Sequence, residues 1–409
     1  MSSAKLHDIM CSVLMNRIIM KSLHHLIIIA FALTTWVVQA NPDTEQLRWE
    51  QFVNAYSKQL KQKLKEKSIP GAALSIVHQQ HGDHIVGIGK TKVKKGRNVT
   101  ANTRFRLASV SKTFAGSLTA KLAAQGVLNL EDTVAEHLPI FSESAYGKAK
   151  LYHLLSHSSG LVPNAYDNLI ESRMAYDKIY PRLVDVKHIC RPGICYGYQN
   201  VMFSLIGNVI AQTTQLSYES WLEHFFFAPL GMKDAGLGHA HMTRDDNFAA
   251  PHVRGTKRWH TARLKPHYYK VAPAAGVNAS AADMGQWLKA QLGIYPSVLS
   301  LDALTIQSRP YTHTKRELRR RVWRNYVEQA HYGLGWRIYS FSGELMYYHS
   351  GWVQGYRTDV AVLPELGIGF SLLLNAESGV INGLSTEFIR QAIEFSRTAR
   401  EQADAQAAS

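Results

Sequence analysis

Strand-like runs occur at both ends of this chain with a long helical stretch between them, and that separation constrains the fold more than any other feature. Ala72-Ala73-Leu74-Ser75-Ile76-Val77, a turn around Gly82-Asp83, and His84-Ile85-Val86-Gly87-Ile88 read as a β-hairpin. Three more strand-like runs come near the other end: Gly335–Tyr339, Thr358–Leu363 and Ile368–Leu374. From Ser109 to about Leu222 the pattern is mostly helical, broken at Pro139, at Gly160-Leu161-Val162-Pro163 and at Pro192-Gly193. One sheet assembled from the two ends, with a helical insert, satisfies this order. The expected division is a sheet lobe over about 41–107 and 270–400 and a helical lobe over 108–269. Residues 44–66 read as an amphipathic helix through Leu47, Phe52, Tyr56, Leu60 and Leu64. A closing helix is expected from Leu384 to Thr398, and the polar, Ala-rich tail 401–409 is expected to fray.

Residues 1–40 read as a signal peptide. Arg17 and Lys21 precede the apolar run Leu26–Leu33, and Val38-Gln39-Ala40 places small residues where a signal peptidase cuts. Met20 begins such a leader by itself. The run is short for a membrane span, which takes about 20 apolar residues; a retained anchor is the alternative. Export, to the periplasm or outside the cell, is therefore expected. The net charge of +15 suits an anionic cell envelope, whereas nucleic-acid binding conflicts with export. Composition, 46% hydrophobic and 19% charged, excludes a disordered chain. Cleavage would discard Cys11 and leave Cys190 and Cys195, either a short-loop disulfide or two thiols.

Ser109-Val110-Ser111-Lys112 opens an apolar helical run. On a helix, Ser109 and Lys112 share a face. Free backbone N–H groups at a helix start can hold a developing oxyanion, and an amine beside them favours its neutral form and can take the hydroxyl proton. A helix-capping serine has the same appearance, and Ser2-Ser3-Ala4-Lys5 has the same spacing. Tyr198-Gln199-Asn200 offers a proton relay and an amide to hold substrate, but Tyr166-Asp167-Asn168 has the same form. His349-Ser350-Gly351 likewise competes with His331-Tyr332-Gly333.

Context and order separate these pairs. The chain resembles the serine β-lactamase-related family, which includes class C β-lactamases, D-stereospecific peptidases and related esterases. The likeness runs through Ser68–Ala73, Asn102–Lys112, Gly126–Asp132, Leu154–Leu161, Pro192-Gly193 before Tyr198, Gly276–Met284 and Tyr332–Trp336, in order. It selects Tyr198 over Tyr166 and makes His331 a bystander. The resemblance implies an α/β (α+β) β-lactamase/transpeptidase-like fold, an antiparallel sheet flanked by helices plus an inserted helical lobe, with the site between lobes. It implies Ser109 as nucleophile, Lys112 and Tyr198 sharing base and acid work, and Asn200, His349, Ser350 and Gly351 binding substrate. The backbone N–H groups of Ser109 and of Trp352, on an edge strand, would form the oxyanion hole.

The chain departs from the class C pattern where His349-Ser350-Gly351 replaces Lys-Thr-Gly. A histidine gives a smaller, pH-dependent charge for a substrate carboxylate, which favours the peptidase and esterase branches over antibiotic hydrolysis. The expected activity is acyl-enzyme hydrolysis of amides or esters (β-lactams, D-amino-acid peptides or esters) without metal or cofactor, the partner being a small-molecule or peptide substrate. A penicillin-binding or wall-recognition module is the alternative. His157 reads as a structural hydrogen-bonding residue. His239-Ala240-His241 lacks a third metal ligand, and the basic run Lys315–Arg324 reads as a solvated helix face. A Cys190–Cys195 bridge would brace the turn leading to Tyr198.

Overall fold

A computed structural model describes residues 42–407, so the expected leader lies outside the described residues. The strands in chain order are β1 (Gly71–His78), β2 (Gly82–Gly89), β3 (Phe105–Arg106), β4 (Gly236–Leu237), β5 (His252–Arg254), β6 (Trp259–Thr261) and β7 (Val277–Ala279), followed by β8 (Thr312–His313), β9 (Val327–Tyr332), β10 (Arg337–Phe341), β11 (Glu344–Val353), β12 (Tyr356–Leu363) and β13 (Ile368–Leu374). Eight of them form one sheet in the order β2-β1-β13-β12-β11-β10-β9-β8, antiparallel at every pairing. The N-terminal hairpin thus joins the C-terminal strands through β1 and β13, with Ser75 opposite Ser371.

Side-chain alternation explains how β1 and β13 serve both faces of this sheet. Ala72, Leu74 and Ile76 share one core with Phe370, Leu372 and Leu374, while Ala73, Val77 and Leu373 belong to the other. Helix α1 (Pro42–Glu66) covers the first face with the closing helix, Val380–Ala407: the Phe370 and Phe388 rings stack at 4.4 Å and Tyr56 meets Phe388 at 5.0 Å. The expected stripe on α1 holds from Tyr56 onward and differs only at its start, where Phe52 is half-buried. Trp49 and Val53 are buried with Tyr56, Leu60 and Leu64, whereas Leu47 is exposed. The closing helix runs further than expected at both ends and holds residues 401–407, where a frayed tail was expected.

Helix α2 (Ser111–Ala124) lies within the second core, buried from Ser111 to Leu122, with Phe114 stacked on Trp287 at 4.0 Å. A helix buried all round carries no amphipathic stripe. Helix α3 (Val201–Thr214) packs in the same core. The 108–269 stretch is helical in its first part and then carries β4 and the β5–β6 hairpin; β4 pairs with β7, which also pairs with β3. The basic segment at 315–326 is a series of turns around one short 3₁₀ helix, Glu317–Arg319, rather than the expected solvated helix. Its Trp323 is buried against Tyr348 and donates from Nε1 to Thr386.

The chain divides into two compact units, Trp49–Ser396 and the terminal residues up to Arg48 and from Arg397. Within the smaller, Arg48 donates to the Gln402 side-chain oxygen at 2.6 Å. Among the described residues, no helix is long and apolar enough to cross a membrane.

Candidate active site

The segment Asn102–Lys112 begins as β3, held by β7, and then turns abruptly. Leu107 N–H donates to Val277 O at 3.0 Å, and Val277 N–H donates to Ser111 Oγ at 2.9 Å. Ala108 has φ +50°, a left-handed conformation costly for a residue with a Cβ. A 3₁₀ turn, Ala108–Val110, then leads into α2, and neither helix start has a side-chain cap. Capping therefore does not account for Ser109. Its neighbours Ala108, Val110, Ser111 and Lys112 are buried, while Ser109 keeps solvent access.

Lys112 is completely buried one turn on. Its Nζ donates to Asn200 Oδ1 at 2.7 Å and to Ala274 O at 3.0 Å, and stands 3.5 Å from Ser109 Oγ. Burial drives its pKa well below the lysine value; Asp167 opposes this and Arg337 adds to it. A neutral amine has two N–H bonds and one lone pair. In its neutral form the amine would give its two N–H bonds to Asn200 Oδ1 and Ala274 O and keep its lone pair for the serine hydroxyl. From the other side, the Tyr198 phenol is within hydrogen-bonding reach of Ser109, and burial keeps it protonated far above neutral pH. Its ring lies 4.7 Å from Lys112 Nζ.

Asn200 precedes α3 but its side chain does not cap that helix. It bridges inward instead, accepting from Lys112 and donating to Asp167 Oδ2 at 2.9 Å. His157, at φ +56°, accepts the Gln199 N–H on Nδ1 at 3.2 Å and places its ring 4.3 Å from that of Tyr198. It backs the phenol. Cys190 and Cys195 are joined by a disulfide in the turn before Tyr198.

The opposite wall is β11, and it corrects two expectations. First, β11 is an interior strand of the sheet rather than an edge. Its pairing with β10 ends at Tyr348, however, so residues 349–353 pair only with β12 and leave one backbone side open. Gly351 passes so close to the Ser109 turn that an added Cβ would lie 2.2 Å from Leu107 O. Second, His349 is not a cation aimed at substrate. The ring is 1% exposed, Nε2 meets Tyr332 Oη at 2.7 Å, Nδ1 meets Ser350 O at 2.9 Å, and burial drives its pKa well below the usual value. Burial drives His157 the same way.

Both histidines fold neutral and gain protons on unfolding, so stability is complete above the unfolded value of about 6.5 and falls as pH drops below it. Thermal midpoints measured from about pH 8 to about pH 5 are expected to decline, and His349→Gln to decline less steeply.

Beyond Gly351, Trp352 is 59% exposed, with Nε1 bonded to Glu377 at 2.7 Å and the Arg357 guanidinium 4.2 Å over its ring. It lines an open cleft of about 870 Å³ with Arg106, Glu171, Lys265, Tyr268 and Glu377, a wall of mixed charge.

The competing motifs resolve in space. His331 meets His313 at 3.2 Å, while its neighbour Tyr332 holds His349. Gly335, at φ +72°, lets its backbone pass Lys112, since a Cβ there would stand 2.0 Å from Lys112 O. His241 bonds Arg244 at 3.1 Å, and among the described residues no group of His, Cys, Asp or Glu is disposed to hold a metal ion. Sequence reasoning missed Asp167, dismissed with its motif, and Arg337, half-buried and paired with Glu317 at 2.8 Å. The sequence carried no signal for Asp167 beyond its place in the Tyr166-Asp167-Asn168 motif.

An accessible serine on a strained turn, a buried amine and a phenol against it, and an antiparallel sheet behind define a serine-hydrolase fold of the β-lactamase type. Residues 56–392 match the family described as Beta-lactamase, and the chain belongs to that family. A β-lactamase of Yersinia enterocolitica is 26% identical over 229 residues, 56% of each chain. Protein flp of Staphylococcus aureus is 24% identical over 345 residues, covering 82% of this chain and 65% of that one. The chain thus spans less than two thirds of the length of these curated relatives. The octameric penicillin-binding protein homologue from Pyrococcus abyssi shares the fold with TM-score 0.71 at 23% identity, over 81% of this chain and 76% of that one.

Proposed function

We propose that this protein is an exported serine hydrolase that acts on amide or ester bonds through an acyl-enzyme. The observation that carries this reading is the Lys112 amine: buried, bonded to Asn200 Oδ1 and Ala274 O, and 3.5 Å from an accessible hydroxyl. In the proposed reaction Lys112 Nζ takes the Ser109 proton as Oγ attacks the substrate carbonyl. The oxyanion rests on the N–H groups of Ser109 and Trp352, and such a donor contributes about 3 kcal/mol to transition-state stabilisation. Tyr198, protonated, delivers a proton to the leaving group. Water then attacks the acyl-enzyme by the reverse proton path.

The neutral His349 removes the fixed positive charge that a lactam carboxylate would use. Turnover of p-nitrophenyl esters is therefore expected to exceed turnover of nitrocefin, with D-Ala-D-Ala peptides as the third arm of the panel. The reverse order would show that lactam recognition proceeds without a charge at position 349. A fluorophosphonate probe is expected to modify Ser109 in the folded protein. A folded protein that resists labelling would favour the alternative, a wall-recognition module without turnover.

A further inference from the structure

Asp167 approaches Asn200 from a segment that the rest of the protein fastens down. Its short helix, Asp167–Ile170, begins at the left-handed Tyr166, whose hydroxyl donates to Arg182 O at 3.0 Å. Just beyond, Lys270 Nζ donates to the carbonyls of Ile170 at 3.3 Å, Ser172 at 2.5 Å and Met174 at 2.7 Å. Lys270 lies four residues before Ala274, whose carbonyl accepts from Lys112. One stretch of chain therefore anchors both Asp167 and Lys112.

The amide of Asn200 has two ends that differ chemically, an acceptor and a double donor. Asp167 Oδ2 takes an N–H from Nδ2, which turns Oδ1 toward Lys112. With the amide reversed, an N–H would face the amine and compete for its lone pair or repel its hydrogens. Asp167 Oδ1 is buried with no hydrogen-bond partner, so the carboxylate holds this place despite an incomplete set of contacts.

We propose that Asp167 is a positioning residue for acyl transfer: through the Asn200 amide it aims the Lys112 lone pair at Ser109, and its charge sets the pH at which that amine becomes a base. The proposal rests on the serine-hydrolase reading above. The charged groups acting on Asp167 are Lys112, which favours its ionised form, and Glu171, which opposes it. Those acting on Lys112 are Asp167 and Arg337. Burial pushes the Asp167 carboxyl up to about 6, which leaves it ionised in neutral solution. A negative neighbour stabilises the protonated amine, so removing that charge lowers the pH at which Lys112 releases its proton.

The test is the rate of Ser109 modification by a fluorophosphonate across pH, in the full chain. Asp167→Asn keeps an acceptor for Asn200 and removes the charge; the acid limb of the profile is expected to move to lower pH by about half a unit or more. Asp167→Leu removes the acceptor as well, and the maximal rate is expected to fall about tenfold or more. Asp167→Glu is expected to restore the acid limb toward the wild-type position. Superimposable wild-type and Asp167→Asn profiles overturn the proposal, even if Asp167→Leu fails to fold. An unlabelled wild type removes the parent reading and this proposal with it, a result distinct from a labelled wild type with indifferent variants.

Discussion

Ser109→Ala is expected to abolish turnover, by on the order of 10⁶-fold on the scale of other serine hydrolases, while leaving the thermal midpoint within a few degrees. The two halves of this expectation have separate reasons. Ser109 caps no helix and lies on the accessible side of the turn, so its hydroxyl contributes little to folding. Its Oγ is nevertheless the atom reached by both Lys112 and Tyr198. Ser111, the neighbouring hydroxyl, cannot substitute: it is buried and accepts the Val277 N–H. Residual hydrolysis above one per cent in purified Ser109→Ala would place the nucleophile elsewhere.

Lys112→Met is expected to lower the acylation rate by about 10²- to 10⁴-fold, the usual range for a positioned proton acceptor. Methionine fills similar space but leaves Asn200 Oδ1 and Ala274 O without a donor, a loss of about 1–3 kcal/mol for each buried acceptor. Against that, the substitution removes the cost of burying an amine whose pKa burial has lowered. In the unfolded chain Lys112 binds a proton up to about pH 10.4, whereas the folded chain gives it up earlier. The unfolded state therefore holds more protons in the alkaline window, and wild-type stability gains a positive slope with pH there. Denaturant unfolding of the two proteins at several alkaline pH values is expected to show that slope reduced in Lys112→Met. Identical slopes would mean that Lys112 is charged when folded, and therefore not the base.

Local chemistry made part of this molecule legible. The apolar run Ile368–Leu374 reads as a strand because seven residues buried on both faces need no polar alternation, and β13 has the expected bounds. The Ala72–Val77 run reads equally well as β1. Strand β11 was expected only through the resemblance and not from its residue pattern, because its sequence, Glu344 to Val353, mixes Tyr, His, Ser and Gly with apolar residues. Burial alternates along it with one slip at Tyr348 and His349, but Glu344 and His349 are inside while Leu345 and Trp352 face outward, so residue polarity does not follow exposure. Helix α2 lacked a stripe for a different reason, having no solvent face.

The ordered resemblance to a known family singled out Ser109, Lys112 and Tyr198 and preferred each over its duplicate, which spacing alone did not. Only the folded arrangement decided what surrounds them. It turned His349 from an expected substrate-facing group of pH-dependent charge into a neutral, tyrosine-bonded side chain, because burial penalises charge and Tyr332 lies seventeen positions away in sequence but 2.7 Å away in space. It also brought back Asp167 from a motif that spacing had set aside. Spacing reports which groups a single element can align, whereas the protonation state of a buried group depends on every element packed against it, and those neighbours come from distant parts of the chain.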